Sequence, residues 1–64
     1  MDDKAEACRI LTRMIQDEEH GVTQYEQLKG DLTTKRDKKV VGDILRDEKK
    51  HYKKVVSLYK RLKC

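Results

Sequence analysis

The chain has 64 residues, of which 44% are charged and 36% are hydrophobic, and it contains no Pro, Phe or Trp. One domain of this length buries little apolar surface and usually needs disulfides, a metal or a partner chain, and this composition is typical of long helices rather than of a sheet. No apolar run approaches the roughly 18 residues of a membrane span, and the acidic start lacks the basic-then-apolar order of a signal peptide. We therefore expect a cytoplasmic protein with no membrane partner.

The first predicted helix runs from about residue 3 to residue 29. Its apolar positions are spaced alternately four and three residues apart, which is the heptad pattern of a helix that packs on another. These positions are Ala7, Leu11, Met14, Gly21 or Val22, Tyr25, Leu28 and Leu32. Glu18 interrupts the pattern where an apolar residue is expected. Ile10 and Ile15 widen the stripe into a face that suits a helical bundle.

A short connection, about residues 30–34, separates this helix from the second. Gly30 with Asp31 supplies a predicted helix stop, because Gly commonly follows the last helical residue. Thr34, with Asp37 three residues later, resembles a capping box. A connection of this length predicts an antiparallel hairpin of two helices. Residues 1–64 would thus form a single all-α hairpin domain.

The second predicted helix runs from about residue 35 to residue 62 and carries a similar stripe. Its apolar members are Val41, Ile44, Leu45, Tyr52, Val55, Leu58, Tyr59 and Leu62. Glu48 and His51 lie on this stripe, in the sequence Glu48-Lys49-Lys50-His51. Glutamate is rarely buried unless it is paired or bound to a cation. Both Glu18 and Glu48 therefore need an explanation.

The predicted register brings these polar residues together. If the chain turns near residues 32–34, facing residues have numbers that add up to roughly 66, because both helices rise equally per residue. Glu18, Glu48 and His51 then lie within about one helical turn of each other. Two carboxylates and an imidazole suit a divalent cation such as iron, manganese or zinc. Two alternatives stay open: a buried ion pair without metal, and a rotated stripe that exposes both glutamates.

The two helices resemble those of ferritin-like di-iron proteins, specifically rubrerythrin-like and encapsulated-ferritin-like domains. The segment DEEHGVTQYEQL is similar to their Glu-then-Tyr helix, and ILRDEKKHYKKVVSL is similar to their Glu-x-x-His helix. The likeness covers nearly the whole chain, but only as half of the usual four-helix domain. It implies that the hairpin dimerises, or assembles further, into a ferritin-like four-helix bundle.

The resemblance also implies a site and an activity. Glu18, Glu48 and His51 would be the metal ligands and catalytic residues of a di-iron centre, with two iron ions per dimer, and Tyr25 would hydrogen-bond a ligand carboxylate. Manganese or zinc are possible substitutes. The activity would be oxidation of Fe(II) by oxygen or peroxide, as in a ferroxidase or a peroxidase-type oxidoreductase. The chain lacks the Cys-rich electron-transfer module of rubrerythrins, so a peroxidase would need an external electron donor, and no encapsulation tail is visible.

The remaining titratable residues carry weaker signals. Cys8 and Cys64 have no Cys-x-x-Cys spacing, and we expect free thiols in a reducing cytosol. The register places Cys8 opposite residue 58, roughly 9 Å along the axis from Cys64, which is beyond easy disulfide reach; a bridge between chains stays open. His20 is expected on the surface, and Asp17 and Asp47 are either solvated or orient the ligands.

Two other functions compete with the metal site. Residues 1–34 hold four basic and eight acidic groups, whereas residues 35–64 hold twelve basic and four acidic groups. A basic helical module that binds nucleic acid or an acidic partner is therefore an alternative, although we do not expect it, because no recognition motif is visible. Its patch would comprise Lys35, Arg36, Lys38, Lys39, Lys49, Lys50, Lys53 and Lys54. A purely structural helical dimer is the third possibility.

Overall fold

The computed structural model of the chain describes residues 3–64, which form two α-helices packed as an antiparallel hairpin. Helix α1 spans Asp3–Asp31 and helix α2 spans Lys35–Arg61. Acidic residues occupy the first turn of α1, and Lys60 with Arg61 occupies the last turn of α2, where each charge suits the helix dipole. The predicted all-helical hairpin is confirmed. Neither helix is long and apolar enough to cross a membrane.

The connection between the helices differs from the predicted one at its start. The backbone N–H of Leu32 donates to the Leu28 carbonyl at 3.1 Å, so α1 continues through Gly30, and Gly30 does not adopt a positive φ. The expected glycine stop is therefore wrong. The start of α2 follows the capping prediction, because the Thr34 hydroxyl accepts a hydrogen bond from the Asp37 backbone N–H at 3.1 Å.

The hairpin has a thin core and a long shape. Only three side chains of residues 3–64 are buried, namely Leu11, Val41 and Leu45. The radius of gyration is 14.9 Å, against about 11 Å for a compact chain of this length. The accessible surface is 5390 Å², whereas a folded monomer of 7.6 kDa exposes about 4300 Å². A single hairpin therefore leaves much of its apolar surface in water.

A disulfide joins Cys8 to Cys64, with the two Cα atoms 5.6 Å apart. The expectation of free thiols out of reach of each other is wrong. The chain turns back after α2, where Lys63 has a φ of 58°. Its N–H donates to the Lys60 carbonyl, and the Cys64 N–H donates to the Tyr59 carbonyl. This Schellman-type turn brings Cys64 back toward the start of α1, which counting along straight helices did not anticipate.

The register of the two helices is also shifted from the predicted one. Glu48 lies over Gly21, Lys29 lies against Gly42, and Tyr52 contacts Glu19, so the numbers of facing residues add up to about 70 rather than 66. Helical side chains lean toward the N-terminus of their own helix, and each covers a spot about one position before its Cα. In an antiparallel pair these two offsets add, which explains about half of the difference.

Candidate metal centre

The structure brings Glu18, Glu48 and His51 together near the middle of the hairpin. One possible ligand atom from each residue lies within 4.8 Å of the other two. Glu18 comes from α1, while Glu48 and His51 come from α2, where a spacing of three residues places them on one face. Two different helices therefore supply the carboxylate and the Glu-x-x-His pair, at about the same height along the hairpin.

The two glutamates are half-buried, and His51 is exposed. Among the residues that the structure describes, the Oε2 atom of Glu18 is buried and has no hydrogen-bond partner. Removing a carboxylate oxygen from water without a partner is unfavourable. A bound proton or a bound cation would satisfy this atom.

The pKa of Glu18 is raised above its ordinary value of 4.5. The main cause is the neighbouring Glu48, because a proton shared between the two carboxyl groups forms a hydrogen bond that two carboxylates cannot form. Partial burial and the negative charges of Glu48 and Asp17 act in the same direction, whereas the charge of His51 opposes them. Glu18 and Glu48 thus form a carboxyl pair that favours an added positive charge.

Space is available beside this pair because residue 21 is a glycine. A Cβ atom at Gly21 would lie 3.7 Å from the Oε2 atom of Glu48, which is ordinary van der Waals distance. Gly21 is half-buried and stands one turn after Glu18. The missing side chain therefore leaves room at the carboxylate for a small ligand or a water molecule.

The three ligand atoms nearly fit a metal ion. Bonds of about 2.1 Å to oxygen and nitrogen allow two ligands of one metal to lie up to about 4.2 Å apart. The observed limit of 4.8 Å exceeds this by an amount that small side-chain rotations would remove. Three protein ligands do not fill the coordination sphere of iron, manganese or zinc. A complete site needs further ligands from water, from substrate or from a second chain.

Tyr25, the predicted hydrogen-bond donor to a ligand, is half-buried on α1. Within residues 3–64 it forms no hydrogen bond to Glu18, Glu48 or His51, so its role stays a prediction. The tyrosine that does link the two helices is Tyr52, whose hydroxyl donates to the Oε1 atom of Glu19 at 2.9 Å. This hydrogen bond raises the pKa of Tyr52, and burial and the charge of Glu19 add to the effect.

Sequence reasoning missed the link between Glu19 and Tyr52. The predicted register hid this link, because the numbers of the two residues add up to 71 and not to about 66. Of the other residues considered, His20 is exposed, as expected. Asp17 and Asp47 are exposed as well, and Asp17 acts on Glu18 through its charge.

The site lies within an exposed apolar surface, here called the apolar face. Six large apolar side chains of residues 3–64 are at least about one-third exposed: Ile10, Met14, Leu28, Val40, Ile44 and Leu58. At about 100° per residue, those of α1 lie on one flank of that helix and those of α2 lie on one flank of the other. Because the helices are antiparallel, the two flanks come to the same side of the hairpin, and His51 lies between Ile44 and Leu58 on it.

No protein-family model, no curated protein and no solved structure matches this chain. The sequence resemblance to ferritin-like proteins therefore stays an expectation.

Proposed function

We propose that this protein binds metal through Glu18, Glu48 and His51, at a di-metal site shared between two copies of the chain. The observation that carries the proposal is the buried, unpartnered Oε2 of Glu18 beside a second carboxylate and an imidazole. A metal-free ion pair is the competing explanation, but no hydrogen bond or ion pair to that oxygen is found in residues 3–64. A cation would neutralise the carboxyl pair and coordinate the unpartnered oxygen of Glu18.

The second copy is supported by what surrounds the three ligands. The apolar face is unpartnered in one hairpin, and the chain exposes about 1100 Å² more than a folded monomer of its mass. A standard protein interface buries about 800 Å² of each partner. Pairing of two apolar faces about a two-fold axis would bury this surface. It would also bring four glutamates and two histidines together, as in ferritin-like four-helix bundles.

The metal we propose is iron, with manganese or zinc as substitutes. Carboxylate and imidazole ligands suit all three ions, and the choice of iron follows the sequence resemblance. Bound Fe(II) would be oxidised by oxygen or peroxide, which would be reduced. In this site Glu48 would bridge two ions, Glu18 would bind terminally, and His51 would bind as a neutral imidazole. In the proposed dimer the two apolar faces would surround these groups and limit the access of water to them.

The proposed location is the cytoplasm, and it determines the state of the two cysteines. Disulfides persist in oxidising compartments and are reduced in most cytosols. A reducing cytosol would open the Cys8–Cys64 bridge that the structure shows. The metal ligands lie near the middle of the hairpin, whereas the bridge closes its far end, so neither state removes a ligand.

Anaerobic titration of the metal-free protein with Fe(II) tests the proposal, followed by exposure to oxygen with absorbance, oxygen uptake and solution mass recorded. We expect one iron per chain, a mass of two chains or more, and oxygen consumption upon mixing. His51→Gln and Glu48→Gln should each weaken iron binding at least tenfold, since even residues that only orient a ligand cost about 10- to 100-fold.

The chain offers a matched control for each variant. His20→Gln and Glu26→Gln remove the same functional groups from exposed positions, so both should bind iron like the wild type. The proposal fails if the wild type takes up no iron, or if the ligand variants and their controls bind equally well. If Glu18→Leu and Glu48→Leu stabilise the fold while iron uptake is absent in the wild type, the protein is a structural dimer instead.

A further inference from the structure

A second charged feature lies at the loop end of the hairpin, in a groove between α1 and the first half of α2. Six basic side chains line this groove: Lys29, Lys35, Lys38, Lys39, Arg46 and Lys49. Its only acidic lining residue is Asp43, which pairs with Arg46 at 3.4 Å. The groove, called the basic groove below, therefore carries a net charge of +5 from seven charged side chains, whereas the whole chain carries +4.

The five lysines of the basic groove are available for a ligand. Within residues 3–64 none of their side-chain amines makes a hydrogen bond or an ion pair, and all five residues are exposed. Lysines on a helical surface commonly pair with acids three or four residues away. Asp43 stands four residues after Lys39 and Glu26 three residues before Lys29, but within residues 3–64 neither acid forms an ion pair with these lysines. The amines are therefore open to an anion from solution.

The groove includes residues from both helices. Gly42 is half-buried on α2, and a Cβ atom there would lie 3.5 Å from the Nζ atom of Lys29 on α1. The absence of a side chain at residue 42 leaves a recess into which the amine of Lys29 extends. The patch expected from the sequence on α2 alone contained neither Lys29 nor Arg46.

We propose that the basic groove binds the phosphate backbone of double-stranded nucleic acid without reading its sequence. The lining offers amines for phosphates but no aromatic side chain, and Leu45 is its only large apolar residue. Single-stranded nucleic acid is typically bound by stacking its bases on aromatic residues, and these are absent from the groove. A duplex needs only regularly placed positive charges. Lys35 to Lys49 cover about 21 Å of helix, the length of several consecutive phosphates.

The proposed contact is independent of the metal centre. At about 100° per residue, Lys35, Lys49 and Arg46 lie on the flank of α2 away from the apolar face. The centre of the groove, at Gly42, lies about 9 Å along α2 from Glu48. A dimer formed through the apolar face would therefore expose one basic groove per chain on its outside.

Fluorescence anisotropy with a labelled 20-base-pair DNA duplex, at salt concentrations from 50 to 200 mM, tests the proposal. If the five lysines each contact a phosphate, log affinity should fall with log salt with a slope near −4.5, about −0.9 per contact. The triple variant Lys35→Gln, Lys38→Gln, Lys39→Gln should flatten this slope by about 2.7 units and weaken binding at low salt. Its iron uptake and helix content should match the wild type.

A variant of equal charge distinguishes the groove from general attraction. Lys53→Gln, Lys54→Gln, Lys60→Gln removes three lysines of α2 that lie outside the basic groove, and it should change the slope by less than one unit. The proposal is overturned if the wild type does not bind the duplex at 50 mM salt, or if both triple variants lose affinity equally. It is also overturned if a polyglutamate peptide competes as well as unlabelled duplex, because the groove would then respond to charge and not to phosphates.

Discussion

The ionised side chain of Glu18 destabilises the metal-free fold, because its Oε2 atom is buried without a partner and Glu48 lies beside it. The same two features favour a cation. Gly21 adds to this arrangement, since a glycine inside a helix costs about 1 kcal/mol relative to alanine, while the space that it leaves borders Glu48. Around Glu18 and Gly21, local stability is therefore reduced where a ligand would bind, which is common at functional sites.

The raised pKa of Glu18 predicts how the stability of metal-free protein depends on pH. A carboxyl group with a higher pKa in the folded state binds protons more strongly there, so its ionisation opposes folding at neutral pH. This cost should diminish as the pH falls through the folded-state pKa and vanish below the ordinary value of 4.5. Glu18→Gln should therefore be more stable than the wild type at pH 7, by about 1 kcal/mol, because its amide can donate to Glu48.

Urea unfolding of both proteins at pH 7 and pH 4, with a chelator present, measures this difference. The gap in unfolding free energy between Glu18→Gln and wild type should shrink at the lower pH. Glu26→Gln provides the comparison for an exposed glutamate and should show no such gap. A gap that stays constant with pH would mean that Glu18 titrates normally and that the site is not strained.

At the level of the helices, Thr34 fixes where α2 begins. Its hydroxyl accepts from the Asp37 backbone N–H, and its backbone is extended, with φ −94° and ψ 147°, as expected of a residue that precedes the first helical turn. Thr34→Ala should lower the unfolding free energy by about 1 kcal/mol. Thr33→Ala, one residue earlier, is the control and should change it by less than half as much, as measured by urea unfolding.

Both helices and the cap at the start of α2 were predictable because they depend on residues close together in sequence. The apolar spacing predicted both helices, and Thr34 with Asp37 predicted the start of α2. The register was predicted less well, because it depends on the lean of each side chain and on a first helix that continues past Gly30. Glu18, Glu48 and His51 still came together, since a site spanning one helical turn tolerates such an error. The contact of Tyr52 with Glu19 was not predicted, because a single side-chain contact does not tolerate this error in the register.

Only three side chains are buried in residues 3–64, and two other features of the molecule bear on its stability: the apolar face, which has no partner in a single hairpin, and the bond that joins Cys8 to Cys64. They act in different ways. A dimer would bury the apolar face in the folded state, whereas the disulfide restricts the unfolded chain. The relative weight of the two determines whether a single hairpin folds without a partner, and it can be measured by removing the bridge.

The Cys8–Cys64 bridge closes a loop with a sequence separation of 56 residues, which is worth about 4 kcal/mol in the chain-entropy account of disulfides. A domain of this size has a total stability of about 3–10 kcal/mol. The double variant Cys8→Ser, Cys64→Ser should therefore lose about 4 kcal/mol, which leaves the monomer close to unfolded at the low end of this range. If two chains share the metal site, Fe(II) should restore much of its helix content, since a ligand that binds only the folded dimer shifts the equilibrium toward it.

Circular dichroism of this variant at 1 and 100 μM protein, with and without anaerobic Fe(II), measures the effect. Greater helix content at the higher concentration would show that the apolar faces associate, because only an associating fold depends on concentration. Unoxidised wild type in reductant should behave like the double serine variant. If the variant instead unfolds within 1 kcal/mol of the oxidised wild type at both concentrations, the bridge contributes little to stability, and the helix packing alone is sufficient for folding.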